Sequence, residues 1–319
     1  MRVFRQEDSG PGGARVSEAD LRDFTRFLER HVNIDSARLR RLEETVHRLR
    51  SALWRHVGFR ATEPLFLPQG SWAQRTIIAP GNRSDFDADL LVCRRPEHSW
   101  SATPAQYLYS LHAMVTKSVG NEYPARVKTR CVEVRFEDHH IDLVPYLPQP
   151  FTGSLSPGCI VNRTENRFEP VDPEGFTRWF LDRDNAAGGH LRHVVRLLKF
   201  ARDLEPGLDV PSVILTVLLG RQVRRATAAA GGYIDLPTTL RTVLTDLTHW
   251  LSARPVLPEI ADPSCSKAQF GHRLNAYSYG RLRNWIAECS LLVEDASTTR
   301  DDTERLRCLR QLFGDAFGE

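Results

Sequence analysis

Residues 67–94 read LPQGSWAQRTIIAPGNRSDFDADLLVCR, and the end of that stretch decides how the chain is built. Phe86, Ala88, Leu90 and Val92 alternate with Asp87, Asp89, Leu91 and Cys93. Strand side chains point to opposite faces with period two, so the first set packs beneath a sheet while Asp87 and Asp89 share the other face, about 7 Å apart. Two carboxylates so placed repel unless one is protonated or a cation lies between them. A divalent metal removes that cost, and hard oxygen ligands suit Mg²⁺ or Mn²⁺, with substrate phosphates completing the shell. A third acid, Asp142, stands between apolar neighbours in the run His140-Ile141-Asp142-Leu143-Val144-Pro145. Three acids on adjacent strands give a two-metal site, one ion activating an attacking hydroxyl and the other neutralising a leaving pyrophosphate. Asp85 is read instead as a cap on the turn after Ser84.

Upstream of this strand, Gly70-Ser71 lies between a short apolar segment and a short helical stretch beginning at Trp72. Glycine lets a backbone approach an anion closely. Ser71 offers a hydroxyl and an N–H at a helix start, where the dipole favours phosphate. A second phosphate contact is expected from residues 190–203. Arg192, Arg196 and Lys199 fall on one helical face there, opposite Leu191, Val194, Val195 and Leu198. Lys199 is one of only four lysines, with Lys117, Lys128 and Lys267, in an arginine-rich chain. A compact point charge suits a triphosphate. Ser212, opening the next helix after Asp209-Val210-Pro211, is placed to join it.

Outward from the site, the pattern divides into a flexible N-terminus (1–16), a catalytic lobe with an N-terminal spine helix (17–172) and a helical C-terminal lobe (173–319). Residues 17–57 carry apolar residues at helical spacing, with a break near Asn33–Asp35 and Asp35 or Ser36 as the cap of the second segment. That stripe serves equally as core or as a dimer seam. Residues 104–119 read as helix, and RVKTRCVEVRF and HHIDLVPYL as two strand-like runs. From Pro173 onward helical periodicity holds near 173–183, 189–204, 211–229, 237–253, 278–296 and 301–315, punctuated by Pro and Gly. The fold class is α+β: a small mixed β-sheet lobe, an α-helical lobe, and a cleft between them as the default site.

The chain has 319 residues, is 41% hydrophobic and 26% charged, and has a formal net charge of +3. Disordered, collagenous and membrane-spanning classes are thereby excluded, since no apolar run approaches the length of a spanning helix. The segment MRVFRQEDSGPGGAR lacks the apolar core of a secretory signal. The net charge is too small to demand a polyanionic partner. Six cysteines without metal-ligand spacing read as reduced thiols of a cytoplasmic protein.

Gly70-Ser71, Asp87-Ala88-Asp89-Leu90-Leu91-Val92 and Asp142-Leu143-Val144-Pro145 together resemble the polymerase β-type nucleotidyltransferase superfamily. The helix before the Gly-Ser turn, GGHLRHVVRLLKFARD (188–203), VPSVILTVLL (210–219) and ADPSCSKAQFGHRLNAYSYGRLRNWIAEC (261–289) narrow the resemblance. They point to the bacterial CD-NTases, relatives of cyclic GMP–AMP synthase and oligoadenylate synthase. The resemblance spans roughly Asp35 to Ala296. It implies that Asp87, Asp89 and Asp142 bind two Mg²⁺ (or Mn²⁺) ions, that Gly70 and Ser71 hold the donor phosphates, and that Lys199 and Ser212 clamp the same triphosphate from the helical lobe. It implies NTP substrates, ATP among them, a cyclic di- or trinucleotide product, and a downstream effector in antiphage (CBASS) signalling. It leaves room for a regulatory protein partner. No zinc-ligand cluster or long basic strip supports direct activation by nucleic acid, and no membrane partner is expected.

The chain departs from the family after Ser212, where an aromatic often stacks on a base and Val213 stands instead. Tyr146 and Tyr233 are the alternative stacking candidates. His139 and His140 read as residues of a strand edge facing solvent. The competing functions are transfer of nucleotides to an RNA 3′ end or a small-molecule acceptor, and a nucleotide sensor without catalysis. All three acids being present argues against the sensor.

Overall fold

The computed structural model describes residues 17–55, 61–80, 86–120, 123–148 and 158–319. Residues 1–16, read above as a flexible terminus, and Asp85, read as a turn cap, lie outside the described residues. Helix α1 (Glu18–Phe27) starts at a capping box between Ser17 and Asp20 and runs into a π-helical turn, Leu28–Val32. Asn33 is extended, and α2 (Ser36–Trp54) restarts after Asp35, whose carboxylate accepts from the Arg38 N–H. The break and the cap are those the sequence predicts. The two helices feed different cores. Phe24, Phe27, Leu28 and Val32 pack with the C-terminal helices, whereas Leu42, Leu49 and Leu53 pack under the sheet. Most of the apolar stripe therefore packs inside the chain, while Leu21 and Trp54 stay exposed.

The sheet has seven described strands. Its centre is the parallel pair β2 (Phe86–Arg94) and β5 (His139–Leu147), in which Asp89 lies opposite Asp142 and Asp87 opposite His140. Parallel neighbours need a crossover, and helix α4 (Ala105–Val119) supplies it. Strand β1 (Ala61–Gln69) flanks β2 antiparallel, preceding the short helix α3 (Gly70–Ala73). On the far side of β5 come β4 (Val132–Arg135) and β3 (Ala125–Val127), then β6 (Cys159–Asn162) and β7 (Arg167–Pro170) extend the sheet from the end of β5. The run RVKTRCVEVRF is thus a hairpin, with Val127 opposite Val132, and not one strand. The sequence gives β6 and β7 no alternation to read, because each has only four residues.

Phe86, Ala88, Leu90, Val92, Ile141 and Leu143 form the lower face with α2 and α4, where Tyr107, Leu108, Leu111 and Val115 are fully buried. The opposite face carries the acids and looks towards the helical half. That half is α5 (Pro173–Ala186), α6 (Leu191–Leu204), α7 (Ser212–Gln222), α8 (Arg225–Ala229), α9 (Leu236–Ser252), α10 (Ala276–Thr298) and α11 (Asp302–Phe313). The single helix read over 211–229 breaks at Val223 and Arg224 into α7 and α8. The six cysteines are all free and buried.

Candidate active site

A cavity of about 650 Å³ opens between the sheet and the helical half. Its lining includes all seven residues singled out from the sequence: Gly70, Ser71, Asp87, Asp89, Asp142, Lys199 and Ser212. The strand pattern explains the acids. With Phe86, Ala88 and Leu90 turned into the core, Asp87 and Asp89 must face the cleft, and the parallel register brings Asp142 beside Asp89.

Gly70 has φ +60°, and a Cβ there would stand 2.8 Å from Asp89 Oδ2. Only glycine lets the loop lie directly on that carboxylate. The turn is closed by the Thr76 N–H donating to the Ser71 carbonyl at 2.7 Å. Burial pushes the Asp89 carboxyl up to about 7, and the charges of Asp87 and Asp142 push in the same direction, while Lys199 and Arg273 oppose them. Asp142 Oδ1 is buried without a hydrogen-bond partner among the described residues. Burial holds the Cys131 thiol far above its ordinary range, and the charge of the neighbouring Asp142 pushes it the same way.

A costly cluster of negative charge with an unsatisfied buried oxygen fits a hard divalent cation better than it fits an empty cleft. Glu133 and His140 extend the donor set: one ligand atom each from Glu133, His140 and Asp142 lies within 4.8 Å of the others. Glu133 sits directly opposite Asp142 in the β4–β5 register and is paired to Lys128 and Arg135. Alternation within Val132-Glu133-Val134 is the signal that could have placed Glu133 on this face.

Lys199 is buried. Its Nζ donates to the Thr76 carbonyl at 3.0 Å and to Thr76 Oγ1 at 3.3 Å. Burial pushes the ammonium down to about 8, while Asp87 and Asp89 favour its charge. Ser212 opens α7, and its Oγ accepts from Arg202 at 2.9 Å. The other two members of the basic stripe do not reach the cleft. Arg192 is paired to the buried Asp184. Arg196 donates to the Arg75 carbonyl and to Asn33 Oδ1. Both are structural; Arg196 and Lys199 fasten α6 to the loop that carries Ser71.

The tyrosines are not stacking residues of the cleft. Tyr146 is buried against Gly158, and Tyr233 is buried in the helical core, donating to the Gln222 carbonyl. Phe176 and Phe270 line the cleft instead, in edge contact with ring centres 6.0 Å apart. They come from segments whose only local signal was helical spacing or a loop. His139 is buried, stacked between Phe86 and Phe136 at 5.5 and 4.9 Å. Strand β5 is interior, so the expectation of an exposed edge fails for that residue.

Residues 20–184 match the family described as the Second Messenger Oligonucleotide or Dinucleotide Synthetase domain, SMODS. Among curated proteins, the cyclic AMP-AMP-AMP synthase of an Acinetobacter species is 22% identical over 275 residues, covering 84% of this chain and 77% of that protein. Among solved structures, E. coli MS115-1 CdnC with ATP superposes with a TM-score of 0.71 at 18% identity, covering 94% of this chain and 99% of CdnC. CdnC is also known in complex with HORMA-deltaN, at the same TM-score of 0.71 and 18% identity, covering 94% and 98%. Vibrio cholerae DncV, a cyclic AMP-GMP synthase seen with its linear intermediate 5′ pppA(3′,5′)pG, superposes at 0.70 and 14% identity, covering 94% and 96%.

Proposed function

The chain belongs to the Second Messenger Oligonucleotide or Dinucleotide Synthetase family, and from that premise we propose that it is a CD-NTase joining NTPs into a cyclic di- or trinucleotide. The observation that carries the reading is the convergence of Gly70, Ser71, Asp87, Asp89, Asp142, Lys199 and Ser212 on one cleft. The curated synthase of the cyclic AMP trimer is consistent with ATP as a substrate.

In this reading Asp87, Asp89 and Asp142 hold two Mg²⁺ or Mn²⁺ ions, which when bound acidify the attacking hydroxyl and neutralise the leaving pyrophosphate. The residues of the chain do the rest. Ser71 and Ser212 offer hydroxyls to the donor phosphates, and the Lys199 ammonium meets their charge from the helical side. Gly70 keeps the phosphate-facing loop against Asp89. A ribose hydroxyl of a second nucleotide attacks the donor α-phosphorus, and its proton passes to the acid cluster. The new P–O bond forms as the bond to the bridging oxygen breaks, and pyrophosphate leaves with that electron pair. A later transfer, from a hydroxyl within the linear product, closes the ring.

The product then acts on a downstream effector in antiphage signalling, and a regulatory protein controls synthesis, as the CdnC complex with HORMA-deltaN makes reasonable. We assign the protein to the cytoplasm. No described helix is long and apolar enough to cross a membrane.

The test is product analysis. Purified protein is incubated with the four NTPs and Mg²⁺ or Mn²⁺, treated with phosphatase and examined by mass spectrometry beside the double variant Asp87→Ala/Asp89→Ala. A phosphatase-resistant cyclic mass absent from the variant is expected. A linear product dependent on an added acceptor would replace this reading with acceptor transfer, and no resistant product in either metal would refute it.

A further inference from the structure

Four cationic side chains line the cleft among the described residues: Arg130, Lys199, Arg202 and Arg273. Three are already engaged within the protein. Arg130 forks onto Glu169 at 2.6 and 2.9 Å. Lys199 is tied to Thr76. Arg202 is shared between Asp203, the Val210 carbonyl and Ser212. Arg273 differs. Among the described residues its guanidinium makes no hydrogen bond or ion pair; its carbon lies 5.8 Å from the centre of the Phe270 ring.

The segment that presents Arg273 is held firmly. Ala261 bridges Gln269, the Phe270 N–H donates to the Ile260 carbonyl at 2.7 Å, and Ile260 and Leu274 are buried on either side. A guanidinium has five donors and no acceptor, so one backed by a ring and left without partners in a cleft is ready for an oxyanion.

Its position says which one. Arg273 lies within electrostatic reach of Asp89, Arg130 and Glu169. Lys199 instead feels Asp87, Asp89, Arg202 and Asp203. Lys199 is tied to Thr76, just after α3 on the β1 side of the acid-bearing pair β2 and β5, whereas Arg130 and Glu169, the neighbours of Arg273, belong to the β3–β4 hairpin and to β7 on the other side of that pair, so the cleft has two cationic ends with the acids between them. The proposed reaction needs two nucleotides in the cleft at once. The donor phosphates take the end of Ser71, Lys199 and Ser212. The second nucleotide brings phosphates of its own, as an NTP or as the 5′-triphosphate of a linear intermediate. At its end of the cleft stand Arg130 and Glu169, which already neutralises Arg130.

We propose that Arg273, backed by Phe270, binds a phosphate of the acceptor nucleotide, the one whose ribose hydroxyl attacks. This assignment rests on the synthase reading above. It goes further by fixing which end of the cleft holds the acceptor and which group recognises its charge.

The experiment compares acceptors with and without phosphate. Wild type, Arg273→Ala and Arg273→Lys are given the four NTPs as donors, with either NTP or excess unphosphorylated nucleoside as acceptor. Losing one charge-assisted phosphate contact is worth about tenfold to a hundredfold. That loss is expected in Arg273→Ala for NTP acceptors alone, with nucleoside acceptors within twofold of wild type and partial recovery in Arg273→Lys. An equal loss for both acceptors would mean that Arg273 touches the donor, the base or only the fold, and no loss would mean that it touches nothing; either overturns the proposal. Calorimetric titration with a non-hydrolysable ATP analogue separates this from the synthase reading. Wild type should bind two equivalents, and Arg273→Ala should keep the first and weaken the second. A wild type that binds two equivalents but makes no product would sink the synthase reading alone, and an unchanged second equivalent in Arg273→Ala would sink this proposal alone.

Discussion

Replacing Gly70 by alanine tests the geometry of the cleft at its tightest point. Two costs follow from the structure. A non-glycine residue at φ +60° carries about 1–2 kcal/mol of backbone strain. The new Cβ would also stand 2.8 Å from Asp89 Oδ2, where ordinary contact begins near 3.4 Å, so loop and carboxylate must part by about 0.6 Å. The Asp89 side chain is short and walled in by the acids on either side, so the separation tilts the carboxylate or lifts Ser71. A misplacement of about 1 Å in an active site can cost about a hundredfold in rate, and Gly70→Ala should lose about tenfold to a hundredfold in cyclic product per folded molecule. Stability should fall by the strain plus the contact, about 2–3 kcal/mol in all.

A double-mutant cycle separates the two costs. In an Asp89→Ala background the carboxylate is gone, so Gly70→Ala should cost only the backbone strain, leaving a coupling of about 1 kcal/mol. Chemical denaturation of the four variants reads the coupling, and product formation by Gly70→Ala reads the displacement. Additive stabilities, or Gly70→Ala turning over within twofold of wild type, would refute the reasoning.

Other perturbations probe the charge balance. Asp89→Asn should raise the melting temperature of the metal-free protein, because it removes a carboxylate held against burial and two like charges. The same variant should abolish both product formation and the stabilisation that Mg²⁺ gives wild type, read by thermal melts with and without EDTA; a lower metal-free melting temperature would contradict the account of the acid cluster. Far from the cleft, Arg305 is buried and joins Asp20, Asp23 and Asp302 at 2.9, 2.7 and 2.8 Å, tying α1 to α11. Arg305→Ala should cost about 2–3 kcal/mol by urea denaturation and leave product per folded molecule unaltered; an unmoved midpoint would show the tie to be idle.

The acids were legible because a strand alternates. Once Phe86, Ala88, Leu90 and Val92 are assigned to a core, Asp87 and Asp89 have one face left, and that inference needs no knowledge of the rest of the chain. Asp142 follows by the same logic on the neighbouring strand. What could not be read was anything set by contact between distant segments. The stripe Arg192, Arg196 and Lys199 looked uniform because helical spacing fixes direction but not neighbours. In the folded chain Arg192 meets Asp184 just across the turn between α5 and α6, and Arg196 meets the loop at Arg75. Tyr146 and Tyr233 were attractive by residue type alone, and packing took both away. Phe176 reaches the cleft from α5, whose helical spacing fixes a face but not what that face meets, and Phe270 and Arg273 come from a segment without periodicity.

Lys199 joins these two kinds of information. Its rarity in an arginine-rich chain singled it out, and its surroundings give that rarity a cause. The ammonium is buried and satisfied by one carbonyl and one hydroxyl of Thr76, with Asp87 and Asp89 nearby as its charge partners. A guanidinium placed there would bring five donors to a pocket that offers two acceptors, and would leave several buried and unpaired. Thr76 stands five residues after Ser71 and closes its turn, so the lysine proposed to meet the donor phosphates also fixes the loop proposed to receive them. The helical half and the phosphate loop are thereby held to one another before any nucleotide arrives. In the proposed arrangement a triphosphate entering between Ser71 and Lys199 would meet donors already held in place, leaving little ordering for binding to supply.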